Sequence, residues 1–415
     1  MTALGQTTGT LRHFLLGNRN WLAAGALLTL LSSFGQTFFI SIFAAKIQAD
    51  FDLTHGSWGA MYALGTSVSA VVMLWAGGLT DHFRARTLGM VVLVMLAVAC
   101  LLMALNPYAV LLPLVIFALR LTGQGMTSHI AIVAMARWFV ATRGRALSIA
   151  TLGFSFGEAV LPIIFVALMT LFDWRVLWGL AAAIALLGVP ILARLLHEER
   201  TPQSMATENQ SVGMDGRHWT RTQSLGHPLF WFMVPALLGL SAFGTAFFFQ
   251  QAHYAAVNGW THLSLVALFP IYTGVGIVAM VVSGFALDRF GTARLIPFYQ
   301  LPLVAGFLCF AAADRLAIVA LGLVFFAMTT GANSTLPNAF WAEFYGTRHI
   351  GSIKAMAAAV MVLGSAIGPL ITGILIDWAV PLGTQYVWVA AYFAMTTAAM
   401  WFGVARARLR LTVAA

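Results

Sequence analysis

The chain has 415 residues, of which 60% are hydrophobic and 8% charged, and its mean hydropathy is +0.89; an ordinary soluble domain carries roughly 25% charged residues. That balance excludes a water-soluble enzyme. The net charge of +9 does not mark a nucleic-acid binder, because the basic residues fall between apolar runs. Cys100 and Cys309 both lie inside apolar runs, so no disulfide framework is expected.

Apolar stretches of roughly 20 residues recur from Trp21 to Val404, each long enough to cross a hydrocarbon core about 30 Å thick. Lengthwise alternation of polar and apolar residues, the mark of a membrane barrel, is missing, so helices must satisfy the backbone. The fold class expected is an all-α membrane protein with twelve transmembrane helices, near 21–45, 58–79, 87–105, 108–138, 146–172, 176–196, 229–257, 263–287, 295–313, 316–340, 353–376 and 386–404. Arg12 and Arg19 precede a full-length first span, which reads as a retained helix and not as a cleaved leader. With the amino terminus in the cytoplasm, 18 of the 22 Lys and Arg fall in cytoplasmic loops and 3 in outer ones. The positive-inside rule then places both termini in the cytoplasm, and a bacterial cytoplasmic (inner) membrane is the expected location. Residues 197–228 are polar, without apolar period, and read as a flexible cytoplasmic linker between a six-helix half at 1–196 and another at 229–415.

The halves repeat. Ser32–Phe39 matches Ser241–Phe248 at five of eight positions with an offset of 209, which also carries Cys100 onto Cys309. An offset of 207 carries Gly77 and Asp81 onto Gly284 and Asp288. Parallel six-helix repeats point to a transporter whose site lies at midplane between the halves.

The stretch Gly77-Gly78-Leu79-Thr80-Asp81-His82-Phe83-Arg84-Ala85-Arg86, with its partial copy Gly284-Phe285-Ala286-Leu287-Asp288-Arg289-Phe290, resembles the loop signature of the major facilitator superfamily. The resemblance covers essentially the whole chain. It departs where the family has a basic residue at His82 and a glycine at Arg84. Acids beside arginines at a helix end can form ion pairs that make and break as two halves rock, so Asp81, Arg86, Asp288 and Arg289 are candidate gating residues, the alternative being purely topogenic charge. A second stretch, Arg137-Trp138-Phe139, Arg143-Gly144-Arg145 and Gly153-Phe154-Ser155-Phe156-Gly157, resembles the branch of monocarboxylate porters and oxalate:formate antiporters. Arg137, Arg143 and Arg145 join the gating candidates; Gly153 and Gly157, four apart, read as packing positions.

Elimination gives the sharpest signal. Once loop and helix-end charges are set aside, Glu158 is the one acid and Arg120 the one base left within the spans. A charge at the bilayer centre costs about 2.5–3.5 kcal/mol on insertion scales, so it faces a bundle interior and finds a partner. Arg120 stands 17 residues from Arg137 and Glu158 stands 13 from Arg145, which puts them roughly 25 Å and 20 Å above the cytoplasmic helix ends at 1.5 Å per residue. Their depths nearly agree. A structural ion pair is the plain alternative, although desolvation makes such a pair a poor stabiliser.

The expected function is secondary active transport of a small organic solute, most simply an organic anion such as a monocarboxylate, by alternating access with proton symport. Arg120, Gln36 and Gln124 are the first-half substrate candidates, and Glu158 is the proton carrier. The second half offers neutral groups, of which Tyr272, Thr329 and Asn333 are candidates; it lacks the charges that the carboxylate-porter branch implies, so a neutral or aromatic vitamin-like compound, or a drug-type exporter, stays open. A non-transporting receptor or scaffold is a further alternative. No catalytic residue, metal ligand set, cofactor or phosphate-binding loop is read, so an enzyme is not expected. Expected partners are the solute, protons and lipid, with the chain acting as a monomer. His129, nine residues beyond Arg120, falls half a turn out of phase with it. The 31 Phe and 13 Trp read mainly as lipid-facing bulk and interfacial belt, with Trp21, Trp58, Trp138, Trp174 and Trp378 near helix ends.

Overall fold

The structure, a computed structural model, describes residues 14–139, 143–198, 212–346 and 349–411. Among the described residues it is helical throughout, with no strand. The principal helices are α1 Arg19–Leu31, α2 His55–Ala76, α3 Ala85–Leu105, α4 Ala109–Met135, α5 Arg143–Leu168, α6 Trp174–Leu195, α7 Pro228–Phe249, α8 Phe269–Phe290, α9 Leu301–Ala311, α10 Leu316–Asn333, α11 Ile350–Asp377 and α12 Leu382–Ala407.

Helix occupies every expected span, yet nine described helices pass as continuous apolar spans, or ten with α1 and the bent continuation Thr37–Phe51. The three helices outside the nine are α1, α2 and α9, and the first and last have local causes. α1 gives way to a tight 3-10 turn at Ser32–Gly35 and bends by 47°, and α9 is cut to 11 residues by the turns that precede it. An expected uniform helix thus becomes a jointed one where Ser, Gly and Gln cluster.

The chain forms two compact units, residues 1–43 with 68–207, and residues 44–67 with 208–415. The dividing points fall inside the first two spans, so residues 44–67 belong with the second unit. In the first unit α1 packs on α5, and α3 on α6. Lipid is as apolar as leucine, so helix association depends on close packing, and small residues permit it. A Cβ at Gly153 would strike the Ala26 carbonyl, and one at Gly157 would strike the Ser33 hydroxyl, which explains the glycine spacing as packing. Beyond the bend, Phe39 meets Phe165 and Trp178 edge-on with ring centroids 4.8 Å and 5.4 Å away. In the second unit α7 packs on α11 and α8 on α10, around a ring cluster in which Phe247 stacks on Phe310 at 4.2 Å.

These rings correct the lipid-facing expectation. Trp58 and Trp178 are fully buried, Trp174 and Trp138 nearly so, whereas Trp378 is 73% exposed. Large planar groups fill gaps between helices that small residues bring close. The linker expectation also changes in its described part. From Val212 the chain docks on the second unit: Met214 and Trp219 are buried, Trp219 N donates to the Tyr345 carbonyl at 2.9 Å, and a capping box of Thr220 and Gln223 starts a helix at Arg221–Gly226. Two apolar anchors in a polar stretch have no period, which is why hydropathy does not reveal them.

Candidate functional site

The site begins with the break in α1. Gln36 is extended (φ −85°, ψ 152°), and the amides of Phe39 and Ile40 both turn to the Gln36 carbonyl, at 3.1 Å and 3.0 Å. In a continuous helix the Phe39 amide would take the Gly35 carbonyl. That carbonyl instead accepts from Arg120 Nη1 at 3.2 Å, and the same nitrogen donates to Thr37 Oγ1 at 3.3 Å. Arg120 is 2% exposed. It opens a π-helical segment, Arg120–Thr127, inside α4. Such wide turns stand where a helix is locally distorted and recur at functional sites.

The two distortions meet. A Cβ on Gly35 would come within 2.7 Å of Gly123 Cα and 2.8 Å of Gln124 N, and one on Gly123 within 2.6 Å of Gly35 Cα. Both glycines therefore serve a backbone-to-backbone approach that no larger residue permits. Arg120, Gln36 and Gln124 are brought to one place by it. Glu158, on α5, is half-buried and follows Gly157, which lies against Ser33. Arg120 and Glu158 thus flank the same short stretch of the α1 region, Ser33 to Thr37, from α4 and α5.

The second-half candidates are engaged by neighbours outside the candidate set. Thr329 is fully buried and donates to the Tyr299 carbonyl at 3.1 Å. Tyr299 donates its hydroxyl to Asn333 Oδ1 at 3.3 Å, and Gln300 Nε2 donates to the Tyr299 oxygen at 3.0 Å. Tyr272 is packed edge-on against Phe248 and Phe326, centroids 5.3 Å and 5.5 Å away. Among the described residues this half carries a neutral buried network and no counterpart to the Arg120 contact.

Among the gating candidates, the side chains of Asp81, Arg137, Arg143, Arg145 and Asp288 lie outside the described residues. Arg86 is half-buried at the start of α3, with its Nε enclosed, and Arg289 lies over the Phe290 ring at 5.4 Å. His129 supplies a link that sequence phase did not reveal: its Nε2 is 3.2 Å from the Gly77 carbonyl, in the signature stretch after α2. The intervening π segment changes the helical phase from which its direction was read.

Sequence reasoning missed a second cluster, within the unit formed by 44–67 and 208–415. Asp377, the last residue of α11, accepts from the backbone amides of His55 at 3.0 Å and Gly56 at 2.8 Å. Its carboxylate caps the start of α2, where free N–H groups and the helix dipole favour an anion. An acid at the end of an apolar helix was the available signal, hidden because the partners are 322 positions apart.

No three His, Cys, Asp or Glu among the described residues are placed to hold a metal ion. No curated protein matches the sequence. By structure the chain is similar to a bacterial homologue of the human lysosomal transporter Spinster in an inward-facing, unoccupied conformation (TM-score 0.66, 15% identity, covering 95% of this chain and 96% of that one). It is also similar to the nucleoside transporter NupG (TM-score 0.72, 15% identity, 92% and 99% covered). The family model for the Major Facilitator Superfamily matches residues 25–369. A multi-pass helical chain with a repeated six-helix plan and that match over most of its length belongs to the major facilitator superfamily, as a membrane transporter and not an enzyme.

Proposed function

We propose that this transporter moves a small organic anion together with protons, with Arg120 orienting the solute and Glu158 carrying the proton. The observation that carries the reading is that Arg120 and Glu158, the base and acid that elimination leaves at mid-depth, flank the broken stretch of the α1 region, and that the base is nearly fully buried there. Interrupted helices beside a charge are how transporters of this kind build solute sites, because irregular backbone supplies polar groups at depth. A guanidinium presents several donors in a rigid fork that suits a carboxylate. Solute binding at Arg120 would offset the positive charge beside Glu158 and so favour proton uptake there. Solute and proton then bind in concert. The cytoplasmic placement of both termini belongs to the same reading and rests on the charge asymmetry.

The test is transport in vesicles. Glu158→Gln should abolish solute-driven proton movement while permitting solute exchange; proton movement that persists would return Glu158 to a structural role. A second reading is favoured by the neutral Tyr299, Gln300 and Asn333 network: an uncharged, hydrogen-bonding solute. Unchanged binding of such a compound to Arg120→Ala would support it against the anion.

A further inference from the structure

The start of α2 is fastened to the end of α11 by more than the Asp377 cap. A Cβ at Gly56 would come within 2.5 Å of Asp377 Oδ2, and one at Gly59 within 2.7 Å of the Pro369 carbonyl. Trp58 stacks on Phe249 at 5.6 Å with planes 17° apart. Beside this seam two imidazoles touch: the His55 and His253 rings have centroids 4.3 Å apart. His253 stands on the short helix Gln251–Val257, beyond the end of α7, and His55 is the first residue of α2.

We propose that the His55–His253 pair is a proton-binding latch, neutral when α2 is fastened to α11 and protonated when it is released. This deepens the transport reading, because alternating access requires such a seam to open and close. The chemistry is local. Gln48 Nε2 lies 3.4 Å from His55 Nδ1, where the amide donates and the ring nitrogen accepts; a proton on Nδ1 would set donor against donor. A charge on both rings at this separation would be repulsive. Burial first, and the neighbouring His55 second, together push the His253 pKa down to about 4. Burial also lowers His55, opposed by the Asp377 carboxylate and by Gln250. Titratable groups on the packed elements are Asp377 on α11, Lys46 and Asp50 on Ala44–Phe51, and His262 on His262–Val266. Asp377 attracts a proton to His55, so His253 is the ring at which fastening and protonation exclude each other most directly.

The sign follows from linkage. A histidine depressed in the fastened state and ordinary in the released one stabilises fastening above pH 6.5 and loses that contribution as pH falls toward about 4. The fastened-to-released ratio should drop about tenfold per pH unit across that window for one ring.

The measurement uses full-length protein in lipid vesicles with Cys100 and Cys309 replaced by Ser and spin labels at Ala49→Cys and Trp378→Cys, both exposed positions. At pH 8 a single short distance is expected; at pH 5 a longer distance should grow. His253→Phe keeps an aromatic ring against His55 without a proton site, and should hold the short distance at both pH values. Asp377→Asn, which weakens the cap without removing its shape, should show the longer distance already at pH 8. A distribution that ignores pH, or a pH response unchanged in His253→Phe, overturns the latch. Glu158→Gln separates the two readings: the latch requires the distance change to survive there even where proton-coupled flux is lost, and its disappearance would assign the response to Glu158.

Discussion

Arg120 donates to the Gly35 carbonyl across 3.2 Å, giving a partner to a backbone acceptor that the break in the α1 region releases. Charge and break occur in the same half. In the other, Thr329 stands at the position equivalent to Arg120, and α7 runs unbroken through Ser241–Phe248, the repeat of the broken stretch. The guanidinium and the irregular backbone therefore form one device: a buried carbonyl without a donor is costly, and a buried cation without acceptors more so.

Arg120→Gln should accordingly lower stability as well as binding. Leaving the Gly35 carbonyl with a poorer donor costs about 1–3 kcal/mol, read as a fall in the thermal unfolding midpoint in detergent. Arg120→Lys keeps the charge and loses the fork, so carboxylate binding should weaken about tenfold or more while the midpoint falls less. Equal binding by Lys and Arg forms would show that only charge matters at this position.

The Gly35–Gly123 approach leaves no room for a methyl group. Gly35→Ala and Gly123→Ala should each destabilise by about 1–3 kcal/mol through forced backbone displacement. Gly179, on α6, has nothing within 4 Å of an added Cβ, and Gly179→Ala should stabilise by about 0.5–1 kcal/mol, since alanine is the better helix former. Thermal unfolding of the three variants decides whether the approach or glycine itself is required.

Much of this architecture was legible in hydropathy, because a span must be long and apolar whatever its sequence. The burial of Arg120 was legible by elimination, since charge in a span is expensive and conspicuous. The joints were not. Gln36 and the π turn after Arg120 arise from contacts between α4 and the α1 region, which no local propensity encodes. Trp219 and Met214 anchor the linker without a repeating pattern, and Asp377 serves a helix start 322 positions away. Each depends on a partner distant in sequence.

Signature residues should affect rate more than affinity. Asp81 repeats at Asp288, and the Gly77 carbonyl four residues earlier is 3.2 Å from His129 Nε2. Asp81→Asn should slow solute exchange several-fold with little change in solute affinity, because a group that biases one global conformation need not touch the ligand. Lost affinity at unchanged rate would place Asp81 in the solute site.

Orientation has a direct check. Reporter fusions after Ser204 should read cytoplasmic and those after Gly383 external, given 18 basic residues on one side and 3 on the other. The reverse pair of results would invert the chain in the membrane, and with it the side on which the His55–His253 pair meets its protons.

The docked part of the linker should loosen in acid. His227 precedes α7, and its Nδ1 accepts from the Leu229 amide at 3.2 Å, so the cap works only while that nitrogen is unprotonated. Burial pushes the His227 pKa below its ordinary 6.5, and the Arg410 guanidinium, with Nη1 3.4 Å from Nε2, pushes it the same way against the pull of Asp215. A histidine depressed in the folded state contributes stability above pH 6.5 that is lost as pH falls below it. Amide hydrogen exchange, corrected for its intrinsic pH dependence, should therefore show weaker protection of 212–230 at pH 5.5 than at pH 7.5. His227→Asn offers a side-chain oxygen to the same amide without a titrating group, and its protection should not change with pH. Equal acid sensitivity in wild type and His227→Asn would show that the His227 cap is not the cause.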